Sequence, residues 1–258
     1  MNGNKQFAQY PSLRDQTILI TGGASGIGSA MVEEFALQGA KVAFLDIASG
    51  PAEKLIHGLD GRSAHKPLFV ACDITNIDFL KSSIQKAQDH FGPIRVLVNN
   101  AANDDRHQWN EVTTEYWDNR MNVNLRHHFF AIQAVSDGMT SAGGGSIINM
   151  SSIAWMIPST GLPAYVTAKA GIVGLTRAMA HQLGSSKIRV NCVLPGAVLT
   201  ERQKELWWSP EYEAQIMDRQ ALDRSILPSD VARMVLFLAA DDSSCITNQS
   251  FIVDGGWV

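Results

Sequence analysis

The sequence predicts an α/β fold in which a doubly wound, seven-stranded parallel sheet has helices on both faces. Three observations support this fold class. Seven short runs of β-branched and other apolar residues recur along the chain, segments with helical periodicity separate them, and the runs are apolar throughout instead of alternating. Uninterrupted apolar runs are typical of strands buried on both faces of a sheet. Strands that alternate with helices indicate right-handed crossovers between parallel neighbours.

The elements follow from these patterns in chain order. The predicted strands lie at residues 17–21, 41–45, 68–72, 96–99, 146–150, 189–194 and 250–253. Helical periodicity covers residues 26–38, 76–91, 114–137, 163–183 and 229–240. One polar and aromatic insertion, residues 201–228, follows the sixth strand. Because ligands bind at the carboxyl ends of the strands in such a sheet, a lid over a substrate would lie there.

Size and charge describe one globular domain. The chain has 258 residues, of which 45% are hydrophobic and 18% charged, with a net charge of −4. These values predict a single soluble domain over residues 1–258 with a sizeable core, and they exclude a disordered or fibrous chain. The lysines and arginines are not clustered, so we expect neither nucleic acid nor a membrane as a partner.

Location and redox state are predicted from what the chain lacks. Apolar runs such as residues 231–240 are shorter than the roughly 20 residues that span a bilayer, and the first 13 residues have no apolar stretch typical of a secretory signal. We therefore expect a cytoplasmic protein. Cys72, Cys192 and Cys245 are widely spaced and odd in number, so we expect buried, reduced thiols instead of a disulfide framework or a zinc site.

The first predicted strand runs into a glycine-rich turn that opens a helix. Glycine lets the backbone turn tightly and approach a pyrophosphate, and the following helix offers unpaired N–H groups and the positive end of its dipole. This order of strand, turn and helix predicts a Rossmann-type dinucleotide site. The residues expected to hold the cofactor there are Gly22, Ser25, Gly26, Ile27 and Gly28.

The second strand ends in an acidic residue, which predicts the choice of dinucleotide. Asp46 lies 18 residues beyond Gly28, where a carboxylate accepts hydrogen bonds from the adenosine ribose and repels a 2′-phosphate. No base follows at residues 47–49, and Ser25 stands where NADP-dependent chains often carry one. We therefore expect NAD. After the third strand, Asp73 and Ile74 are expected at the adenine, although an Asx turn explains Asp73 equally well.

A tyrosine and a lysine supply candidate acid–base chemistry. Tyr165 and Lys169 are four residues apart in a segment with helical periodicity, so they share one face of a helix. A phenol with a pKa of about 10 is a poor base at neutral pH, but an adjacent ammonium favours the phenolate and is expected to lower that pKa. Taken alone, the spacing also fits an ordinary surface helix.

The combination of several motifs is more specific than any one of them. TGGASGIG, NNAA, MNVNL, MSS, Tyr165-x-x-x-Lys169 and LPGAVLT occur together, and with them the chain resembles the short-chain dehydrogenase/reductase family along nearly its whole length. The resemblance implies Tyr165 as acid and base, Lys169 as its activator and a ribose ligand, Ser152 as the holder of the substrate oxygen, and Asn124 as the anchor of a proton-relay water. Ser152 is preferred to Ser151 because it lies thirteen residues before Tyr165.

The resemblance also implies further cofactor contacts and an assembly. The expected cofactor contacts are Asn99, Ala101, Pro195, Gly196, Val198 and Thr200. Ala102 departs from the family, which usually has glycine there, and its methyl group puts cofactor affinity in doubt more than chemistry. The long helices and the C-terminal FIVDGGWV resemble the elements through which the family forms dimers and tetramers, so we expect a homotetramer.

Two loops narrow the resemblance to bacterial NAD-dependent aldose 1-dehydrogenases of the D-xylose and L-fucose/galactose type. Their expected substrate contacts are Asn103, Asp104, Asp105, Ser152, Trp155 and Trp208. Sugar hydroxyls suit carboxylates and amides, and apolar sugar faces suit tryptophan. Only one residue of each pair, Asp104/Asp105 and Trp207/Trp208, is expected to reach the substrate. The acids equally suit a solvated loop or a helix cap, and the tryptophans a core or a subunit interface.

Alternatives to an aldose dehydrogenase stay open at this point. The same chemistry could act on another secondary alcohol or ketone, such as a polyol, a hydroxysteroid or a 3-oxoacyl thioester. A non-catalytic NAD-binding module that regulates a partner is a second class, since a fold does not fix a function. No catalytic metal is expected, because His127 and His128 are neighbours about 100° apart on a helix. A hydrolase is disfavoured because no Gly-x-Ser-x-Gly elbow occurs.

Overall fold

The computed structural model describes residues 7–258. The first six residues, which belong to the stretch that we searched for a secretory signal, lie outside the described residues. Within the described residues, seven strands form one parallel sheet with the order β3-β2-β1-β4-β5-β6-β7. The strands are β1 (Thr17–Thr21), β2 (Lys41–Asp46), β3 (Leu68–Ala71), β4 (Val96–Asn99), β5 (Gly145–Met150), β6 (Ile188–Pro195) and β7 (Ser250–Val253). The predicted fold class is confirmed.

Helices cover both faces of this sheet. They are α1 (Gly26–Leu37), α2 (Ser49–Gly58), α3 (Ile77–Phe91), α4 (Thr114–Met121), α5 (His127–Ser141), α6 (Pro163–Leu183), α7 (Glu201–Leu206), α8 (Pro210–Arg219) and α9 (Pro228–Ala239). Helix α2 was not predicted, since Gly50 and Pro51 at its start obscure the helical pattern. The insertion at residues 201–228 contains α7 and α8.

The predicted helix at residues 114–137 is interrupted in the structure. A turn of π-helix, Asn122–Arg126, separates α4 from α5. Periodicity alone could not reveal this interruption, because a single wider turn is too short to establish a period of its own. The π turn presents Asn124 to the interior, where it is fully buried.

Two hydrophobic layers hold the sheet between its helices. On one face, Ile20 packs in a cluster with Phe35 of α1 and Val235 of α9. On the other face, Leu19 belongs to a cluster that includes Ile84 of α3 and Val135 of α5. Burying each such side chain contributes roughly 1.5–3 kcal/mol. Successive residues of β1 therefore anchor opposite helix layers, which explains why the strand is apolar throughout.

The sheet has a switch point beside its first strand. β1 pairs with β2 on one side and with β4 on the other, so the chain leaves the centre of the sheet in two directions. In doubly wound sheets a crevice opens at this point, at the carboxyl ends of the strands. The loops that follow β1, β2, β4, β5 and β6 converge there and form the candidate site.

Two further predictions can be compared with the fold. Within residues 7–258, no helix combines the length and the apolar character needed to cross a membrane. All three thiols are free; Cys72 and Cys192 are buried as predicted, but Cys245 is exposed. The prediction was wrong for Cys245 because it lies in the turn between α9 and β7, where the chain passes over the surface.

Candidate active site

A cavity of about 750 Å³ lies at the carboxyl ends of the strands. Its wall brings together most of the residues that the sequence suggested for the cofactor, from five separate loops. Those residues are Gly22, Ser25, Gly26, Ile27, Gly28, Asp46, Asp73, Ile74, Ala101, Pro195, Gly196, Val198 and Thr200. A pocket of this size and mixed polarity accommodates a large, elongated ligand.

The glycine-rich turn leaves no room for side chains. Gly22 has a φ of +67°, and a Cβ atom on Gly28 would lie 1.8 Å from the carbonyl oxygen of Gly22. Asn100 fixes this turn, because its Nδ2 donates to the same carbonyl at 2.9 Å. The turn leads into the first N–H groups of α1, which is the geometry that binds phosphate. The cradle therefore fits the pyrophosphate of a dinucleotide.

Asp46 is held by backbone N–H groups on both sides. Its Oδ2 accepts from the Ala24 N–H at 2.9 Å, and its Oδ1 accepts from the Ala48 N–H at 3.0 Å. These bonds fix the carboxylate at the cavity wall. Asp73 forms the Asx turn that we considered, with Oδ1 accepting from the N–H of Thr75 at 2.9 Å and from its hydroxyl at 2.7 Å, and it also lines the cavity.

Tyr165 and Lys169 lie on consecutive turns of α6, and both line the cavity. The Lys169 ammonium donates to the carbonyl oxygen of Met150 at 2.8 Å and lies 5.4 Å from the centre of the Tyr165 ring. Burial lowers the pKa of Lys169 to about 8, so its proton is easily lost compared with an ordinary lysine. Lys169 is thus a buried cation within reach of a phenol.

The pKa of Tyr165 differs from the prediction. Burial raises this pKa above its ordinary value, the negative charge of Asp104 raises it further, and a hydrogen bond with Ser152 opposes both effects. We had expected the Lys169 ammonium to lower it. The expectation fails because the loss of solvation around a partly buried phenol outweighs a cation that is directed at the Met150 carbonyl.

The two adjacent serines after β5 have different partners. Ser151 donates its hydroxyl to the backbone carbonyl of Lys169 at 2.7 Å, so it ties β5 to α6. Ser152 lines the same cavity as Tyr165, and its Oγ accepts from the Ala154 N–H at 3.1 Å. Of the two hydroxyls, only that of Ser152 acts on the pKa of Tyr165, which it lowers.

Asn124 lies behind the cavity wall. Its Oδ1 accepts from the backbone N–H of Asn103 at 2.8 Å, and its Nδ2 donates to the carbonyl oxygen of Arg120 at 3.0 Å. The side chain therefore fastens the π turn to the loop after β4. Asn103 in turn lines the cavity and accepts from the Asp105 N–H at 2.8 Å.

Asn99 is not on the cavity, contrary to the prediction. It is fully buried, and its Nδ2 donates to Oδ1 of Asn149 at 2.9 Å. The next residue, Asn100, lines the cavity instead. The side chains of successive strand residues point to opposite faces, so the residue that ends β4 faces the core and its successor faces the crevice.

Three of the predicted substrate contacts also lie off the cavity wall. Asp104 lines the cavity but Asp105 does not, as expected for adjacent residues. Trp155 is exposed in a short turn of helix outside the wall. Trp208 packs edge to face on Tyr212, with ring centres 5.8 Å apart, so Tyr212 takes the place at the wall that we predicted for Trp208.

The structure adds wall residues that the sequence did not suggest. Trp257 reaches the cavity from the segment after β7, where the carboxylate of Asp254 accepts the backbone N–H groups of Gly256, Trp257 and Val258 at 2.8, 3.1 and 2.8 Å. Its separation from the other wall residues in the sequence hides it. The only available signal was an aromatic residue directly after the paired glycines at the end of the last strand.

The neighbouring histidines are part of the polar core. His127 and His128 are fully buried, and burial lowers the pKa of each. His127 Nε2 lies 3.0 Å from the carbonyl oxygen of Ala101, and His128 Nδ1 lies 3.3 Å from Oδ1 of Asn149. Among the described residues, no group of three histidine, cysteine or acidic side chains is arranged to hold a metal ion.

A glycine cradle at the start of α1 and a fixed carboxylate after β2 suit a dinucleotide, and a phenol, a serine hydroxyl and a buried lysine line the same cavity. This arrangement defines a nicotinamide-dependent oxidoreductase. The family model described as enoyl-(acyl carrier protein) reductase matches residues 22–258. The chain belongs to the short-chain dehydrogenase/reductase family.

Relatives with known names agree with this class. A D-xylose 1-dehydrogenase of Caulobacter vibrioides is 49% identical over 250 residues, which are 97% of this chain and 98% of that protein. A protein of Rhizobium meliloti named "Probable galactose dehydrogenase" is 47% identical over 249 residues, 96% of this chain and 97% of its own. The crystal structure of a 3-oxoacyl-[acyl-carrier protein] reductase from Brucella melitensis superposes with a TM-score of 0.90 at 29% identity and covers 100% of this chain and 98% of its own.

Proposed function

We propose that this protein oxidises the anomeric hydroxyl of an aldose of the L-fucose, galactose or xylose class to the aldonolactone, with NAD as the hydride acceptor. The observation that carries the proposal is the near-full-length similarity to two sugar dehydrogenases, at almost half of all positions. A carboxylate and two amide side chains on the same wall as Tyr165, those of Asp104, Asn103 and Gln203, suit the vicinal hydroxyls of a sugar.

Tyr165 is the base of the proposed reaction. Its phenolate takes the proton of the anomeric hydroxyl while the hydrogen on the anomeric carbon leaves as hydride, and the carbon–oxygen bond becomes the lactone carbonyl. The nicotinamide of bound NAD supplies the acceptor for that hydride. Because burial opposes the phenolate, the positive charge of Lys169, 5.4 Å from the ring centre, is needed to stabilise it.

Ser152 and Asn124 support the proton transfer. Ser152 has its hydroxyl at Tyr165, where it orients the substrate oxygen and stabilises charge that develops on it. Asn124 holds the π turn and the Asn103 loop together, and in our proposal this anchors the water through which the proton of Tyr165 and Lys169 reaches solvent.

NAD, and not NADP, is the proposed cofactor. The fixed carboxylate of Asp46 offers acceptors to the ribose hydroxyls and repels a 2′-phosphate. Residues 47–49 provide no cation to bind such a phosphate. Asn100, which lines the cavity, takes the place of Asn99 among the proposed cofactor contacts.

The direct test is NADH formation from NAD across a panel of aldoses that includes L-fucose, D-galactose, D-xylose and L-arabinose, together with several polyols. Tyr165→Phe should lower turnover by about 100- to 10,000-fold, the usual effect of losing an acid–base group, while NAD still binds. Near-normal turnover in Tyr165→Phe would refute the role of Tyr165. NADH formation from polyols, or NADH consumption with a 3-oxoacyl thioester, with no aldose oxidised would replace the proposed substrate and keep the reaction class.

Assembly and location are parts of the same proposal. We infer a homotetramer, which the exposed side chains of Trp117 on α4 and Phe129 on α5 support, because they leave apolar surface on adjacent helices. Light scattering after gel filtration tests it, and a stable monomer would contradict it. The cytoplasmic location stays a prediction that cell fractionation can check.

A further inference from the structure

Helix α7 is joined to the loop after β4 across the mouth of the cavity. Arg202 donates Nε to Oδ1 of Asp104 at 3.4 Å and Nη2 to Oδ1 of Asp105 at 2.6 Å. Gln203 donates Nε2 to Oδ2 of Asp104 at 2.7 Å. Two adjacent side chains of α7 thus hold both oxygens of one carboxylate. We call Asp104, Arg202 and Gln203 the carboxylate clamp.

The clamp faces the reacting groups. All three of its residues line the cavity that contains Tyr165. The charge of Asp104 also raises the pKa of Tyr165 and of Lys169. The Asp104 side chain is 31% exposed, and each carboxylate oxygen has a second lone pair, so the group can still accept hydrogen bonds from a ligand.

The two ends of the clamp are themselves fixed. On α7, the hydroxyl of Thr200 accepts from the backbone N–H of Gln203 at 3.2 Å and begins the helix at that point. On the opposite side, Arg120 of α4 donates to Oδ2 of Asp105 at 3.2 Å. The Arg202 guanidinium therefore bridges Asp104 and an Asp105 carboxylate that Arg120 already holds from the other side.

We propose that Arg202 and Gln203 are positioning residues for the sugar, and that they act by holding the Asp104 carboxylate in the orientation that accepts two substrate hydroxyls. A free carboxylate can rotate and take up water, whereas a clamped one presents its remaining lone pairs in fixed directions. This inference rests on the proposed function, because vicinal hydroxyls are the groups that such an acceptor would recognise.

The test compares steady-state kinetics of the full-length protein and of variants on the best aldose of the panel. Arg202→Met and Gln203→Met should each raise the KM for the aldose about 10-fold or more, as expected for weakened hydrogen bonds to a charged group, while kcat changes less and the KM for NAD stays the same. Lys204→Met is the matched control. Lys204 lies on the same helix and pairs with Glu201 at 2.7 Å, away from Asp104, so its removal should change none of these constants.

A double-mutant cycle separates positioning from general damage to α7. Gln203→Glu sets one carboxylate against another and should raise the KM for the aldose more than Gln203→Met does. Asp104→Asn removes the carboxylate that accepts the substrate hydroxyls, so it should raise this KM by itself. Adding Gln203→Met to Asp104→Asn should raise the KM little further, because the group that Gln203 holds is already gone. Thermal unfolding of each variant verifies that it is folded.

The outcomes distinguish this inference from the proposed function. Turnover of an aldose with an unchanged KM in Arg202→Met and Gln203→Met would overturn the clamp and leave the proposed function intact. An equal rise in KM for Lys204→Met, or a full further rise when Gln203→Met is added to Asp104→Asn, would also overturn it. If the wild-type protein oxidised no aldose at all, the proposed function and the role of the carboxylate clamp in binding sugar would both be refuted.

Discussion

Replacing Lys169 by methionine tests whether this buried lysine loses its proton near neutral pH. The folded protein has a Lys169 pKa of about 8, against an ordinary value of 10.5. Below about pH 8 the lysine is charged in both the folded and the unfolded chain, and the penalty for burying its charge is fully present. Between the two values the unfolded chain binds more protons than the folded chain, so stability rises with pH.

The size of the effect follows from the separation of the two pKa values. At about 1.4 kcal/mol per pH unit, a lowering from 10.5 to about 8 corresponds to roughly 3 kcal/mol. Of this free energy, about 2 kcal/mol should be gained as the pH rises from about 7 to about 9.5. For a chain of this size that is a rise of roughly 4–8 °C in the Tm of the wild type relative to Lys169→Met.

The assay is thermal unfolding of both proteins at several pH values, read as the difference between their Tm values. The hydrogen bond to the Met150 carbonyl acts on the pKa of Lys169 itself, so its pH-dependent part is already included, and the altered packing of the methionine side chain adds only an amount that is independent of pH. Lys204→Met, which removes an exposed lysine, is the control, and its difference from the wild type should not depend on pH. A constant difference for Lys169→Met as well would refute the reasoning.

Two other substitutions test the cofactor site. Asp46→Asn turns an amide nitrogen toward one of the two backbone N–H groups that now donate to the carboxylate, so the affinity for NADH should fall about 10-fold or more. The preference for NADH over NADPH should also narrow, which fluorescence titration with both cofactors measures. An unchanged preference would contradict the role of Asp46. Gly28→Ala places a Cβ atom 1.8 Å from the Gly22 carbonyl oxygen, so it should abolish NADH binding or lower the Tm. In the control Gly50→Ala the new atom meets nothing within 4 Å, so NADH binding and the Tm should both stay as in the wild type. Equal behaviour of the two variants would argue against the cradle.

The sheet was predictable because its signal is local. The five central strands are largely buried on both faces, so a few consecutive apolar residues, such as the TILIT of β1, are enough to locate them. The edge strands β3 and β7 are partly exposed, but their short apolar runs still mark them. Helix α2 escaped because only Ala52 of its ten residues is buried, which leaves almost no apolar stripe to detect. The π turn at Asn122–Arg126 escaped because it changes hydrogen bonding more than composition.

The candidate site was predictable where a short local motif indicates the role of its residues. It was less predictable where a contact joins segments that are distant in the sequence. The glycines and the Tyr165 and Lys169 pair fall together in one cavity. Trp257 and Gln203 were missed because their places at the wall depend on how distant segments fold back. The Tyr165 pKa was misjudged because spacing reveals the nearby lysine but not the depth of burial or the charge of Asp104.

The π turn between α4 and α5 has a consequence for the length of the chain. Removing one residue from Asn122–Arg126 would favour a continuous α-helix, and α4 and α5 would keep nearly the same relative orientation, because a π turn takes up one residue more than an α turn. The deletion would remove the displaced backbone of the π turn, and with it the position from which Asn124 bonds the loop after β4. The extra residue therefore serves the contact between Asn124 and that loop, and we expect its loss to disturb the cavity wall more than the packing of α4 and α5.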